Sequence, residues 1–281
     1  MNEKEISLQK DFIKGREPKI LCLDLEISPM LAYTYEAYEG NVLKIKVQPQ
    51  IVSFAYSWQN EKQIHVRSLP DYPGYTPGIL KLDDKKIVTE LHEIMHKADM
   101  IYGHNIRAFD LKHARARFLV HNLKVSKKWI TEDTLIIARK YFKFPKNNLN
   151  EITEVLGIGT KTKVKHSDVI WDCIDGDMKA WEAMQAYVKQ DIVITKSLYS
   201  RIAPWHETHY NLNLFRRKGN SCTLCGSTHV HSEGPRYNKF TISERFSCLK
   251  CGHYWTSGVI ARAPRQEPPN AETEPVLQSN V

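Results

Sequence analysis

Acidic side chains recur in this sequence at places where a strand or a helix could hold them together. Asp24 and Glu26 end the apolar run ILCLDLE, with one residue between them. Side chains alternate along a strand, so both carboxylates should point to the same face, about 7 Å apart. Like charges held that close at the end of a buried strand repel each other unless a cation lies between them. The pair therefore indicates a site for a positively charged ligand.

Two later motifs supply further acidic groups. The stretch GHNIRAFD places Asp110 just after a short strand and turn, and YVKQD places Tyr187 and Asp191 on one face of a helix. Clustered carboxylate oxygens are the ligands that Mg²⁺ and Mn²⁺ prefer. Two such ions about 4 Å apart can stabilise an in-line displacement at phosphorus. Four acids from one strand and two helices could converge on such a site.

The order of these motifs, Asp-x-Glu, Asn-x-x-x-Phe-Asp and Tyr-x-x-x-Asp, resembles that of the DEDD superfamily of 3′–5′ exonucleases. The resemblance covers about residues 18–200, and EDTLIIARKYFKFPKNNLNEITEVLGI is similar to the segment between that family's second and third motifs. Tyr187 fills the position that defines the tyrosine subgroup, while Ala186 occupies the position of the histidine in the other subgroup. The resemblance implies an α/β fold, a ribonuclease H-like mixed β-sheet flanked by helices.

The resemblance also implies a reaction, the hydrolysis of phosphodiester bonds at the 3′ ends of single-stranded DNA with two Mg²⁺ or Mn²⁺ ions. Asp24, Glu26 and Asp191 would hold one ion, and Asp24 and Asp110 would hold the second. Tyr187 would orient the attacking water, because a phenol with a pKa near ~10 is a poor base at neutral pH.

Four of the six cysteines form two Cys-x-x-Cys pairs, in CTLCG and CLKCGHYW. In a chain whose charged N-terminus is unlike a secretory signal, such clustering favours a metal site over disulfides. The spacing, with a glycine after each pair, indicates a zinc ribbon that needs one structural Zn²⁺ to fold. Its ligands would be Cys222, Cys225, Cys248 and Cys251.

The length of 281 residues allows one sizeable domain and a smaller module. Runs rich in β-branched and aromatic residues, followed by segments with helical periodicity, predict the α/β class. The predicted organisation is a polar lead-in (1–18), a ribonuclease H-like exonuclease domain (19–204), a basic linker (205–219), a zinc ribbon (220–260) and a disordered tail (261–281).

The formal net charge of +8 favours a polyanionic partner such as nucleic acid. Residues 201–260 contain eight Lys/Arg against three Asp/Glu, so the ribbon could bind nucleic acid or dock a replication or repair protein. The sequence predicts no membrane span, because no apolar run approaches the required ~20 residues. This favours a cytoplasmic protein, in the host cytoplasm if it is phage-encoded. Candidate substrate contacts are Asn105, Arg216, Arg217, Lys218 and Trp255.

Two alternative functions stay open at this point. The first is a 3′–5′ exoribonuclease, since recognition of a 2′-hydroxyl depends on the shape of a pocket and no residue here decides it. The second is a catalytically inactive nuclease-like adaptor, although four retained acids argue against it. Asp133 is a competing acid that the family pattern does not make a metal ligand, and His104 is expected to pack or to hydrogen-bond. Asn105 is expected to shape its turn or to contact substrate.

Overall fold

The computed structural model describes residues 15–36, 38, 40–124, 128–159 and 166–262, with the backbone alone at 166–168. Most of the predicted lead-in and nearly all of the predicted tail therefore lie outside the described residues. The strands are β1 (Ile20–Ile27), β2 (Leu31–Tyr33), β3 (Lys44–Val47), β4 (Ile51–Trp58), β5 (His65–Ser68), β6 (Met100–Gly103), β7 (Ile130–Asp133), β8 (Val230–Tyr237), β9 (Thr241–Cys248) and β10 (Tyr254–Arg262). The helices are α1 (Lys85–Lys97), α2 (Asp110–Val120), α3 (Thr134–Tyr141), α4 (Leu149–Val155), α5 (His166–Asp175), α6 (Met178–Ile202) and α7 (Asn213–Arg216), with 3₁₀ turns at Leu69–Asp71 and Ala203–Trp205.

A five-stranded mixed sheet forms the centre of the larger domain, in the order β5-β4-β1-β6-β7. Strands β1, β4 and β5 pair antiparallel, whereas β1, β6 and β7 run parallel. The central strand β1 is buried along most of its length, as its continuous apolar run predicts. The predicted fold class, a mixed α/β sheet flanked by helices, is confirmed.

Helices cover both faces of this sheet. On one face, Lys196 of α6 donates through Nζ to Oγ of Ser57 (2.7 Å), the residue paired with Cys22. On the other face, Arg67 of β5 donates through Nε to Oε1 of Glu90 in α1 (2.8 Å). Arg67 is paired with Phe54, whose side chain points away from that of Ser57 because neighbouring residues alternate. The domain is therefore a three-layer structure with β1 in its middle.

A buried carboxylate joins the elements on the α1 side. Asp84 has no exposed surface and accepts hydrogen bonds from the backbone N–H of Ile51 (3.0 Å) and from Nε of Arg117 in α2 (2.7 Å). Nε2 of His121 lies 2.7 Å from its Oδ1. A buried charge is tolerated when a counter-charge and hydrogen bonds surround it, and Asp84 has both. This cluster fixes α2, and with it the residue at the start of α2, against the sheet.

A short hairpin that the sequence analysis did not predict follows β1. Strands β2 and β3 form a separate two-stranded sheet. Its base is closed by Ser28, whose N–H donates to the carbonyl oxygen of Gln50 (2.8 Å) and whose Oγ accepts from the N–H of Gln50 (2.9 Å). Large side chains near its tip are exposed, including Tyr35 and Tyr38.

The cysteine module is a three-stranded antiparallel sheet in the order β10-β9-β8. The described residues 205–216 between the two modules are packed rather than extended, and Leu212 is only 1% exposed. The N–H of Leu212 donates to the carbonyl oxygen of Thr223 (2.8 Å), and Nδ1 of His253 lies 3.0 Å from the carbonyl oxygen of Pro204. The ribbon is thus anchored to the larger domain at two points. Within the described ranges, no helix has the length and apolar character that crossing a membrane requires.

Candidate active site

Asp24 and Glu26 both lie on the face of β1 that α6 covers. Alternation along the strand places them on the same side as Cys22, which is close to Lys196 and Tyr199 of α6. Asp24 is half-buried and Glu26 is buried. The positions of Asp24 and Glu26 on β1 therefore agree with the prediction that both carboxylates point to one face of the strand.

Asp110 lies directly beside this pair. Its Oδ1 accepts a hydrogen bond from the backbone N–H of Leu25 (2.9 Å), the residue between Asp24 and Glu26. Pairing of β1 with β6 ends at Cys22, so the start of α2 occupies the space beside β1 that a neighbouring strand would otherwise fill. The pKa of Asp110 is raised to about 7, chiefly by burial and further by the charges of Glu26 and Asp133, against two backbone N–H groups that lower it. The site is crowded with negative charge, which is what a cation would relieve.

Helix α6 brings Asp191 to the same end of β1. Tyr199 stacks on Tyr102 of β6 (4.1 Å between ring centroids), and Tyr199 and Ala203 line a cleft with Ile20. The end of α6 therefore lies at the start of β1, and the two elements run in opposite directions. Asp191 precedes Tyr199 by eight residues, which is about 12 Å along a helix. Glu26 follows Cys22 by four residues, which is about 13 Å along a strand. This register sets Asp191 opposite the carboxylate end of β1.

Asp191 is unusual among the inward-facing residues of α6. It is 3% exposed and lies on the stripe Met184, Val188, Asp191, Thr195, Leu198, which has the spacing of a buried helix face. It is the one charged residue among the buried side chains that α6 contributes to the described structure. Tyr187, one turn earlier, is partly buried and packs against the core. A buried acid in such a stripe is costly unless a cation or a hydrogen-bond donor compensates its charge.

The turn that presents Asp110 is held by Asp133. The carboxylate of Asp133 accepts from the backbone N–H groups of Asn105 (2.9 Å), Arg107 (3.0 Å) and Leu135 (3.0 Å). Asn105 has a positive φ of 62°, which asparagine tolerates better than most residues. Asn105 therefore shapes the turn, as one of its two predicted roles required. His104 bonds Thr134 and the carbonyl oxygen of Asn147, in line with its predicted packing role.

Replacing Asp133 by alanine should destabilise the protein by about 3 kcal/mol, because three backbone N–H donors would lose the buried carboxylate that accepts from them. Asp177 offers a matched control: it caps α6 by accepting from the N–H of Lys179 (2.8 Å) but is exposed. Asp177→Ala should cost only about 1 kcal/mol. Urea unfolding of both variants measures the difference, and equal losses would contradict the assigned role of Asp133.

An open apolar cleft of about 380 Å³ lies next to the acids. Phe109, adjacent to Asp110, contacts His113 (4.6 Å between centroids), and both line the cleft with Ile27, Ile170 and the exposed Trp171. Exposed aromatic rings beside a charged centre are suited to stacking on nucleobases. Trp171 and His113 belong to no motif considered in the sequence analysis, because each lies outside the acidic patterns.

The four ribbon cysteines converge on one point. Their Sγ atoms all lie within 4.8 Å of one another, with 3.7 Å between Cys222 and Cys251 and 3.6 Å between Cys225 and Cys248. Four thiolates at 2.3 Å from one tetrahedral ion would be about 3.8 Å apart, so the spacing fits Zn²⁺. Elsewhere among the described residues, no group of three or more His, Cys, Asp or Glu ligand atoms is as compact.

The two Cys-x-x-Cys loops have the same backbone geometry. Gly226 and Gly252 adopt positive φ values of 74° and 75°, and their N–H groups donate to the carbonyl oxygens of Cys222 and Cys248 (2.8 Å each). The hydrogen bond from Cys251 lowers the pKa of Cys222 to about 4, and the pKa of Cys251 is raised in turn. Glycine tolerates the positive φ that lets each Cys-x-x-Cys loop turn this tightly.

The predicted substrate contacts differ in their surroundings. The guanidinium of Arg216 bonds Glu17 (2.8 Å) and the carbonyl oxygen of Leu224, and only 7% of its side chain is exposed. Trp255 stacks on Phe246 (5.5 Å) and packs inside the ribbon. Arg217 and Lys218 are exposed on the surface between the modules. Arg216 therefore joins the two modules, whereas Lys218 is exposed to solvent.

Comparisons with known proteins bear on this geometry. Residues 74–169 match the family model described as Exonuclease (RNase_T), a span that contains Asp110 but neither β1 nor α6. The chain is also similar to the structure of the family B DNA polymerase from the hyperthermophilic archaeon Pyrobaculum calidifontis, with a TM-score of 0.51 and 13% sequence identity. That alignment covers 80% of this chain and 32% of the polymerase, so the chain spans about a third of the polymerase's length. At this identity the likeness shows the fold. No curated protein matches the chain.

Proposed function

We propose, from the premise that this chain contains a domain of the DEDD-type exonuclease family, that it is a metal-dependent 3′–5′ exonuclease acting on single-stranded DNA ends. The observation that carries the proposal is the placement of Asp110. Its Oδ1 accepts from the N–H of Leu25, the residue between Asp24 and Glu26, and Asp191 lies on α6, which packs against β1. Four acids from three distant segments would then converge at the end of one strand, as a site for two metal ions requires.

Asp24, Glu26, Asp110 and Asp191 would hold two Mg²⁺ or Mn²⁺ ions, as a set of hard oxygen donors. When bound, such ions acidify a water that attacks phosphorus and stabilise the departing 3′ oxygen. The charges of Glu26 and Asp133 beside Asp110 support this ligand set, because bound cations would offset them.

The chain's own residues would position the substrate. The hydroxyl of Tyr187 would orient the attacking water by a hydrogen bond, since a phenol is in general a poor base at neutral pH. The terminal base would stack against Phe109 and Trp171 in the apolar cleft. The tyrosine subgroup and the 3′–5′ direction are parts of this proposal.

The experiment that tests it uses 5′-labelled DNA and RNA oligonucleotides incubated with Mg²⁺, Mn²⁺ or EDTA. We expect stepwise shortening from the 3′ end that requires a metal ion and is faster on single-stranded DNA. Faster shortening of RNA would favour the exoribonuclease instead. No shortening with any metal would favour the inactive adaptor.

The four cysteines would hold one structural Zn²⁺, and the ribbon would bind the same nucleic acid. Its outer surface carries Lys239 and Lys250 together with the exposed rings of Tyr237 and Phe240. Alternating basic and aromatic groups are suited to gripping phosphates and stacking bases. A replication or repair protein is the rival partner for this surface.

Replacing Lys239 and Lys250 together by glutamine should weaken binding of a single-stranded oligonucleotide and lower the salt slope of log K by about 1.4, at ~0.7 per lost phosphate contact. Fluorescence anisotropy in EDTA at several salt concentrations measures both effects. Lys85→Gln, an exposed lysine at the start of α1, is the control. An unchanged slope in the double variant would favour a protein partner for the ribbon.

A further inference from the structure

A second, polar cavity opens on the other side of the turn that presents Asp110. It has a volume of about 260 Å³ and lies between α3 and the segment 206–210. Arg107 of the turn and Asp133, which holds the turn, both line it. Its floor is Glu132, which pairs in register with Tyr102 and therefore faces the same side of the sheet as α6. The cavity is separate from the apolar cleft beside Phe109.

Three buried polar atoms of residues that line this cavity make no hydrogen bond in the described part of the chain: Oε1 of Glu132, the hydroxyl of Tyr141 and Nδ1 of His206. Glu132 is 1% exposed; one of its carboxylate oxygens lies 3.1 Å from Nδ1 of His206, and the other, Oε1, contacts no donor. The hydroxyl of Tyr141 is also buried without a partner. Buried polar groups are almost always hydrogen-bonded, so the cavity calls for an occupant that donates to Glu132.

The rim of the cavity is basic and aromatic, whereas its floor is acidic. Arg107 and Lys140 are exposed cations, and Nζ of Lys140 lies 4.9 Å from the centre of the Tyr141 ring. Tyr210 is 47% exposed and offers a flat apolar surface. These two cations disfavour a metal ion as the occupant. An occupant with a planar ring, a hydrogen-bond donor on its edge and a phosphate would satisfy the floor and the rim together.

We propose that this cavity binds one nucleotide, with the base edge donating to Oε1 of Glu132, the ring against Tyr210, and the phosphate near Arg107 and Lys140. The proposal rests on the proposed nuclease function, since it assumes a polynucleotide at the neighbouring acids. The nucleotide has two possible sources. It can be an internal nucleotide of the bound strand, or the nucleoside 5′-monophosphate released by cleavage.

The test measures binding in EDTA, so that no cleavage occurs. A series of 5′-labelled single-stranded oligonucleotides carries one abasic site, moved stepwise away from the 3′ end. If an internal nucleotide occupies the cavity, one abasic position should weaken binding to the wild-type protein at least about fivefold. Lys140→Gln and Tyr210→Leu should weaken binding of the intact strand and abolish sensitivity at that position. Tyr210→Phe, which keeps the ring, and Lys85→Gln, which is remote, should behave as wild type.

A parallel arm uses nucleoside 5′-monophosphates and calorimetry. If the released product is the ligand, the monophosphates should bind the wild-type protein and bind Lys140→Gln and Tyr210→Leu at least about fivefold more weakly. Glu132→Gln is less informative, because it also disturbs the pair with His206. The rim variants replace exposed side chains and should fold normally.

The inference is overturned if no abasic position weakens binding more than the others do and no monophosphate binds. Water would then be the occupant. The outcomes also distinguish a failure of the cavity assignment from a failure of the proposed nuclease activity. A wild-type protein that shortens DNA but shows neither binding signature overturns the cavity assignment alone. A protein that shows a binding signature but shortens no substrate supports the cavity and contradicts the exonuclease.

Discussion

Replacing Asp24 by alanine should lower metal-dependent shortening of single-stranded DNA by about a thousandfold. In the proposed site Asp24 is the ligand shared by both ions, and metal ions contribute several kcal/mol to transition-state stabilisation, with each 1.4 kcal/mol worth a factor of ten. The fold should survive, because Asp24 is half-buried and the substitution removes one of two like charges that lie two residues apart on β1. In EDTA the variant should unfold at the same temperature as wild type or higher.

The measurement is the initial rate of 3′ shortening at saturating Mg²⁺, with thermal unfolding followed in parallel. Glu93→Ala serves as the control, since Glu93 is an exposed acid on α1, on the opposite face of the sheet. It should retain wild-type activity. Residual activity above a tenth of wild type in Asp24→Ala would rule out its role as the shared ligand.

The second prediction with a large expected effect is that the ribbon unfolds when its metal is removed. Between residues 220 and 262 the buried side chains are cysteines and polar residues, with no buried aliphatic or aromatic side chain among them. Apolar burial therefore supplies little of the ribbon's folding free energy. Structural zinc in small modules contributes about 10–16 kcal/mol of apparent binding free energy, which is also folding free energy. Removal of the metal should unfold β8–β10 while leaving the central sheet folded.

Hydrogen exchange measures this loss strand by strand after treatment with a zinc chelator. Cys251→Ser should reproduce it, whereas Cys173→Ser, at a buried cysteine of the larger domain, should leave protection of β8–β10 unchanged. A thiol reagent should modify four additional cysteines per chain once the metal is removed. If the ribbon strands stay protected without metal, the proposed structural zinc is wrong.

The sequence predicted the parts of the site that depend on local spacing. Alternation along β1 predicted that Asp24 and Glu26 share a face, and the two Cys-x-x-Cys loops predicted the thiolate cluster. Helical periodicity predicted that Tyr187 and Asp191 lie one turn apart on α6. These patterns need only the geometry of one element, so a single sequence is sufficient.

Contacts between distant segments were outside the reach of those patterns. The pair of Glu132 and His206 joins residues 74 positions apart, and the family resemblance, which ends near residue 200, includes Glu132 but not His206. The basic run at 216–218 predicted substrate contacts, but the tertiary structure uses Arg216 to bind Glu17 and Leu224. Charge alone does not say whether an arginine faces solvent or a neighbouring segment. Asp133 likewise holds a turn that begins 28 residues earlier.

Under the proposed function Asp110 would have two roles, one as a metal ligand and one as the acceptor for the N–H of Leu25. Oδ1 of Asp110 accepts from this N–H in place of an acceptor from β6, whose pairing with β1 ends at Cys22. This bond helps keep β1 in place whether or not a cation is bound. Alanine at this position would therefore confound loss of a charge with an amide left unsatisfied. Asparagine keeps an acceptor for that amide and removes only the charge. Comparing the two substitutions separates scaffolding from electrostatics at a single position.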